Sequence, residues 1–214
     1  MIKISPSMLA ADFTKLGAEL ADIECAGADM VHLDVMDGVF VTNISFGLPV
    51  VEALRKNSNM IFDVHLMIIE PEKYIERFID AGADILTFHH EATKDTAKVL
   101  EMIRAKGAKA AVSVKPNTPI EEIYPYLELC DMVLVMTVEP GYGGQALIPK
   151  TLEKVRNLKA EVEKRGLSID IQVDGGINEK NASDAISAGA NILVAGSAVF
   201  KSHDRKSAID ALRQ

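Results

Sequence analysis

Two residues in the stretch "VHLDVMDG" pose a chemical problem. His32 and Asp34 lie two apart in a run of β-forming residues (Val31 to Met36), so in a strand they share one face with Met36. An ionised carboxylate buried on such a face must be paired or bound to a metal. The same pattern recurs in "FDVHLM", which carries His65 with Met67 on its face, and in "IQVDGGI", which ends a strand candidate with Asp174. Met136 leads "MTVEPGYGG" after another. Two histidines and two aspartates converging on one point make a mixed nitrogen and oxygen donor set. Such a set suits Zn²⁺, Fe²⁺, Mn²⁺ or Co²⁺ better than Mg²⁺ or Ca²⁺. One histidine alone would more often be satisfied by its neighbours; four such residues at strand ends point to a metal centre.

A second chemistry is anion holding. Gly141–Gly144 in "GYGG", Gly175 and Gly176 in "DGGI", and Gly196 and Ser197 in "VAGSAVF" follow three successive strand candidates. Glycine lets backbone N–H groups approach a phosphate, and a short helix that follows offers its positive end. The net charge of −8 argues against nucleic acid as a partner, so an anionic ligand has to be held locally. Backbone dipoles meet that need without a basic patch.

The elements that position these residues repeat. "AGADMVHLDV", "AGADILTFHH" and "AGANILVAGS" are variants of one phrase, with a degenerate copy in "LCDMVLVMTV". Their anchors Asp29, Asp84, Asp131 and Asn191 recur at intervals averaging about 54 residues, or two units of about 27. Between them lie strand candidates at Ile2–Ser5, Met60–His65, Ala110–Val114 and Ile169–Val173. Each strand candidate is followed by a segment of helical periodicity, as from Pro71, Ala92 and Thr151. Eight strands alternating with helices over residues 1–214 predict a single (β/α)₈ barrel domain, with an open doubly wound sheet as the alternative. In a barrel the chemistry sits at the C-terminal strand ends, and the loops after strands seven and eight are its recurrent phosphate site.

Cys25 and Cys130 lack metal-type spacing and read as small hydrophobes in a reducing compartment. No stretch reads as a membrane span, and Ser5-Pro6-Ser7 interrupts any signal-peptide core, so the expected location is cytoplasmic.

The phrases "SPSMLAADF", "HLDVMDG", "FDVHLM", "TFHHEA", "MTVEPGYGGQ", "VDGGIN" and "VAGSAVF", in this order, resemble the ribulose-phosphate 3-epimerase family over almost the full length. The resemblance implies a TIM barrel of the ribulose-phosphate-binding type that interconverts D-ribulose 5-phosphate and D-xylulose 5-phosphate. It implies one divalent metal ion per subunit on His32, Asp34, His65 and Asp174, with Asp34 and Asp174 also the acid/base pair. Ser7 and His65 become substrate contacts, and Gly141, Tyr142, Gly143, Gly144, Gly175, Gly176, Gly196 and Ser197 bind substrate and its phosphate. Met36, Met67 and Met136 would line the site beside a planar enediolate. The partner is a phosphorylated ketose, and a homo-oligomer is expected. The chain departs from the family's usual "DGHFVPN" at Val39 and Thr42, and from "IEVDGG" at Gln172. Those changes bear on specificity and on the support of the site, not on the reaction class. His89 and Glu139 are strand-end polar residues without an assigned role. Rival readings are an epimerase for a related ketose such as allulose 6-phosphate, a metal-dependent phosphatase, and a non-catalytic sugar-phosphate-binding barrel.

Overall fold

The computed structural model describes residues 1–214. Eight strands follow one another along the chain: β1 (Lys3–Pro6), β2 (Met30–Met36), β3 (Ile61–Met67), β4 (Ile85–His89), β5 (Lys109–Val114), β6 (Met132–Met136), β7 (Asp170–Asp174) and β8 (Ile192–Ala195). They form one parallel sheet in the order β1-β8-β7-β6-β5-β4-β3-β2. A parallel bridge between Ser7 and His32 brings β1 against β2, so the two ends of the sheet meet. This is the barrel; an open doubly wound sheet would leave both edges apart.

The crossovers carry α1 (Leu16–Cys25), α2 (Leu48–Arg55), α3 (Ile75–Asp80), α4 (Thr96–Ala105), α5 (Thr151–Lys164) and α6 (Ala182–Ala188), and α7 (Ser197–Phe200) and α8 (Arg205–Ala211) follow the last strand. One connection departs from the expected periodicity. After β5, residues Ile120–Leu129 form a ten-residue 3-10 segment with Pro125 inside it. Proline lacks the N–H that an α-helix needs there, and its ring clashes with the preceding turn. The segment still buries Ile120, Ile123 and Leu127.

Alternation along the strands sorts two interiors. Val31, Leu33 and Val35 join the main core of 49 buried residues, shared with the helices. Met30 belongs instead to a small apolar cluster with Ile85, Ala111, Met132 and Ile192. On the same strand face as Met30 come His32, Asp34 and Met36, all buried. Ser5, Asp63, Thr87, Ser113 and Gln172 are likewise fully buried on their strands.

The repeated phrase has a defined job. Asp29 donates its backbone N–H to the Ile4 carbonyl (3.1 Å) and accepts from the Ile4 N–H through Oδ2 (2.8 Å). Asp84 brackets Phe62 in the same way (3.0 and 2.7 Å), Asp131 brackets Ala110 (2.8 and 2.9 Å), and Asn191 brackets Ile171 (2.9 and 2.7 Å). Each bracketed residue is the second of an odd-numbered strand. The preceding glycines Gly27, Gly82 and Gly189 have φ values of 87°, 117° and 116°, which side chains resist, and so turn the chain into the bracket.

The brackets yield a stability prediction. Asp84→Ala strips the Phe62 N–H of its acceptor and should cost about 1–2 kcal/mol in urea unfolding. Asp84→Asn should retain most of that stability, because Asn191 performs the same task with an amide oxygen. Equal losses would assign the effect to the Arg55–Asp84 ion pair (3.0 Å) instead.

Candidate metal centre

Strands β2 and β3 pair in register, which sets Asp34 beside His65 and His32 beside Asp63. Asp174 ends β7 opposite Met136 of β6. One donor atom from each of His32, Asp34, His65 and Asp174 lies within 4.8 Å of the other three. His32 Nε2 and His65 Nδ1 are 3.3 Å apart. Each of these nitrogens is 3.4 Å from Asp34 Oδ1 and 3.8 Å from Asp174 Oδ2. Ligands about 2.1 Å from a tetrahedral ion stand about 3.4 Å from one another. Donor chemistry and spacing therefore both fit a single divalent cation. The two histidines are wholly buried and Asp34 nearly so, while 15% of the Asp174 side chain remains exposed to the mouth.

The side chains around the cluster orient it. Ser7 Oγ donates to Asp34 Oδ2 (2.5 Å), which leaves Oδ1 for the cluster. His32 Nδ1 lies 2.7 Å from Asp63 Oδ2. That oxygen also accepts from Gln172 Nε2 (2.6 Å) and Ser5 Oγ (3.1 Å). With the His32 proton on Nδ1, the Nε2 lone pair faces inward.

Burial and charge pull the ionisable groups apart. Burial, reinforced by the charge of Asp34, pushes Asp174 up to about 6. Burial opposes ionisation of Asp34 too, but the imidazoles of His32 and His65 outweigh it and hold that carboxyl below its ordinary value. Burial likewise opposes charge on His32, yet Asp63 and Asp34 raise it well above its usual range. His89, buried beyond His65, is driven down to about 4 chiefly by loss of solvent.

A family model described as "Ribulose-phosphate 3 epimerase family" matches residues 3–200. The chain belongs to that family. It is therefore an enzyme of the isomerase class that acts on carbohydrate. The ribulose-phosphate 3-epimerase of Bacillus subtilis is 48% identical, with 100% of this chain and 99% of that relative covered. The Synechocystis ribulose-phosphate 3-epimerase is 46% identical over 99% of this chain and 93% of its own length. The rice relative at 45% identity, covered at 99% and 93%, is named a cytoplasmic isoform. Among solved structures, 3-hexulose-6-phosphate synthase superposes with a TM-score of 0.72 at 19% identity, covering 99% of this chain and 98% of that one. A tryptophan synthase α-subunit from Pyrococcus furiosus gives 0.72 at 17% identity, with coverage of 100% and 99%. These two likenesses show the fold alone. No helix is long and apolar enough to cross a membrane.

The remaining residues expected for an epimerase of this family gather round one cleft. Ser7, Met36, Met67, Met136, Gly141, Tyr142, Gly143, Gly144, Gly175, Gly176, Gly196 and Ser197 all line it together with Asp34 and Asp174. His32 and His65 lie beneath this lining. Gly176 has φ 71°, and a Cβ there would fall 2.8 Å from the Gln145 carbonyl oxygen, so only glycine fits. Gly196 has a negative φ of −92°, outside the left-handed region, and its steric constraint is the Ala10 methyl, 3.1 Å from where a Cβ would lie. The three methionines are almost fully buried. Val39 and Thr42 are exposed on the loop after β2, whereas Gln172 reaches the support of His32. Glu139 lies on the cleft and accepts from Asn117 Nδ2 (3.2 Å).

Asp63 and Ser5 are not singled out from the sequence, and His89 is named there without a role. The signal was available for the first two, since each precedes a recognised site residue by two positions on the same strand face. His89 follows Thr87 in the same way.

The raised Asp174 gives a pH prediction for chelator-treated protein. Between the ordinary 3.8 and about 6, the folded chain keeps a proton that the unfolded chain has released. Stability must then fall as pH rises through that window. Asp174→Asn should flatten this limb in urea unfolding series run in chelator. An unchanged slope would show that Asp174 does not carry the proton.

Proposed function

We propose that this chain interconverts D-ribulose 5-phosphate and D-xylulose 5-phosphate by proton transfer at C3, with one divalent cation on His32, Asp34, His65 and Asp174. Residues 1–214 act as one catalytic domain, and the rice cytoplasmic isoform supports a cytoplasmic setting. The observation that carries the reading is the pair Asp34 and Asp174. They come from separate walls of the barrel, meet at one centre, and are pushed toward opposite protonation states.

Inverting the carbon next to a ketone takes one proton off one face and returns another to the opposite face. Two carboxyl groups held in opposite states can divide that work. One ionised aspartate removes the C3 proton, its partner donates to the other face, and the reverse reaction exchanges their roles. A bound cation supplies Lewis-acid polarisation of the ketone and the adjacent hydroxyl. Ser7 keeps Asp34 aimed by occupying its outer oxygen. Met36, Met67 and Met136 provide a polarisable, water-excluding floor.

The phosphate end follows from what the cleft lacks and contains. No lysine or arginine lines it, so the backbone around Gly175, Gly176, Gly196 and Ser197 has to supply the donors, with the Gly141–Gly144 loop covering the sugar.

Purified protein should epimerise ribulose 5-phosphate faster than a six-carbon ketose phosphate; release of inorganic phosphate would make it a phosphatase instead. Chelation should abolish turnover, and Zn²⁺, Fe²⁺, Mn²⁺ or Co²⁺ should restore it. Full activity in protein shown to be metal-free would sink the metal reading.

The two-base assignment has its own test. Asp34→Asn and Asp174→Asn should each lower epimerisation by about 10²–10⁴-fold. Each variant, once its metal content is shown to match wild type, should still exchange the C3 proton of one sugar with D₂O, followed by NMR. Opposite sugars should exchange in the two variants. If both exchange the same sugar, or one keeps near-normal epimerisation, the two-base mechanism is wrong here.

A further inference from the structure

His32 has a carboxylate behind it, but His65 does not. With Nδ1 turned to the cluster, His65 Nε2 lies 2.9 Å from Nε2 of His89, the last residue of β4. The two ring planes are inclined by only 28° with centroids 5.0 Å apart, so the rings meet edge to edge through these nitrogens, and both are fully buried. A hydrogen bond between two imidazole nitrogens needs a proton on one and a lone pair on the other. As a ligand, His65 Nδ1 offers its lone pair, so the proton of the neutral ring sits on Nε2. His89 Nε2 must then accept, which puts the His89 proton on Nδ1. The nearest acceptor to that nitrogen is the Glu91 carboxylate, whose Oε2 is 3.4 Å away as a charge contact outside hydrogen-bond geometry, and Nδ1 has no hydrogen-bond partner. Glu91 is itself tied down through Oε1 by the Lys115 backbone N–H (2.7 Å) and the Thr118 hydroxyl.

We propose that His89, backed by Glu91, is a positioning residue that fixes His65 with its proton on Nε2 and its Nδ1 lone pair on the metal centre. The inference rests on the metal centre proposed above and extends it by one line of side chains toward the surface. The two imidazole ligands are then held as opposite tautomers by unlike supports. Asp63 anchors His32 through Nδ1, and His89 anchors His65 through Nε2. Removing the His89 acceptor leaves a buried N–H unpaired and frees the His65 ring to turn or to change tautomer. Either change takes the lone pair off the cluster.

The test reads Co²⁺ binding in the absence of any sugar. Dissociation constants come from chelator competition and ligand geometry from the visible spectrum, on wild type, His89→Phe, His89→Gln and Glu91→Ala, with thermal unfolding as control. His89→Phe should weaken Co²⁺ binding by about 10–100-fold and alter the spectrum. His89→Gln offers a carbonyl oxygen to the same His65 N–H and should recover most of the affinity and the wild-type spectrum. Glu91→Ala, at a partly exposed position, should weaken binding about tenfold, and it decides the question if His89→Phe does not fold. Unchanged Co²⁺ affinity in His89→Phe, or in Glu91→Ala where that variant decides, overturns the inference. So does a glutamine variant as weak as the phenylalanine one, which would mark a role in packing only. Wild-type protein that binds no Co²⁺ overturns it together with the metal centre. Protein that binds Co²⁺ with this variant pattern but fails to epimerise ribulose 5-phosphate sinks the proposed function and leaves the positioning role intact.

Discussion

Asp34 and Asp174 bring two carboxylates to one point at the mouth of a barrel, where burial of Asp34 and partial burial of Asp174 leave little water to screen their repulsion. Burial alone would drive both neutral. The two imidazoles beside them hold Asp34 ionised, while Asp174 is left above its ordinary range. A divalent cation among the four donors would relieve the whole set, and the spacing of those donors matches that requirement. The same tension that calls for a cation also makes the pair unequal, and an unequal pair is what a proton transfer between two faces needs.

Such a cluster keeps its shape only if each donor is held from behind. The support comes from one strand step below: Ser5 precedes Ser7, Asp63 precedes His65 and Gln172 precedes Asp174, each by two residues on the same face. Asp63 gathers Ser5, His32 and Gln172 on a single oxygen. The family usually carries glutamate where this chain has Gln172. A glutamate 2.6 Å from Asp63 would have to share a proton with it to survive the contact, whereas the neutral amide simply donates. The departure therefore acts on how firmly Asp63 and His32 are held, and it leaves the four donors untouched.

The strands, the barrel order and the four donors were legible in the sequence because period-two alternation is a local signal, and the repeat made it redundant. Beyond the four donors, Met36 and Met67 follow from the same alternation, whereas the cleft-lining glycines follow from motif and resemblance. Gln172 stands out as a departure that bears on support, but its pairing with Asp63 is not legible, because the two touch across a separation of 109 residues and nothing local marks them as partners. His89 was visible as a strand-end histidine, but its meaning depends on facing the back of another histidine. The 3-10 segment at Ile120–Leu129 departs from the general expectation of an α-helix after each strand. Its apolar spacing suits a helix, and the single Pro125 outweighs that pattern.

The repeat and the site are linked through register. In a strand, slipping the pairing by one residue turns every side chain to the other face. The two-point bracket from Asp29 to Ile4 fixes where β2 starts relative to β1, and from that fixed start Ser7 reaches the His32 bridge and the Asp34 carboxylate. Asp84 fixes β3 at Phe62, three residues before His65, and Asn191 fixes β7 at Ile171, three residues before Asp174. The strands that carry the site are thus pinned at their far ends by polar side chains that never approach the chemistry. Aspartate serves both ends of this barrel with the same hydrogen-bonding chemistry. At the strand starts its acceptor oxygens are satisfied by backbone N–H groups, which sets the register. At the mouth that register leaves the inner oxygens of Asp34 and Asp174 without any such donor, and free for a cation and a substrate proton.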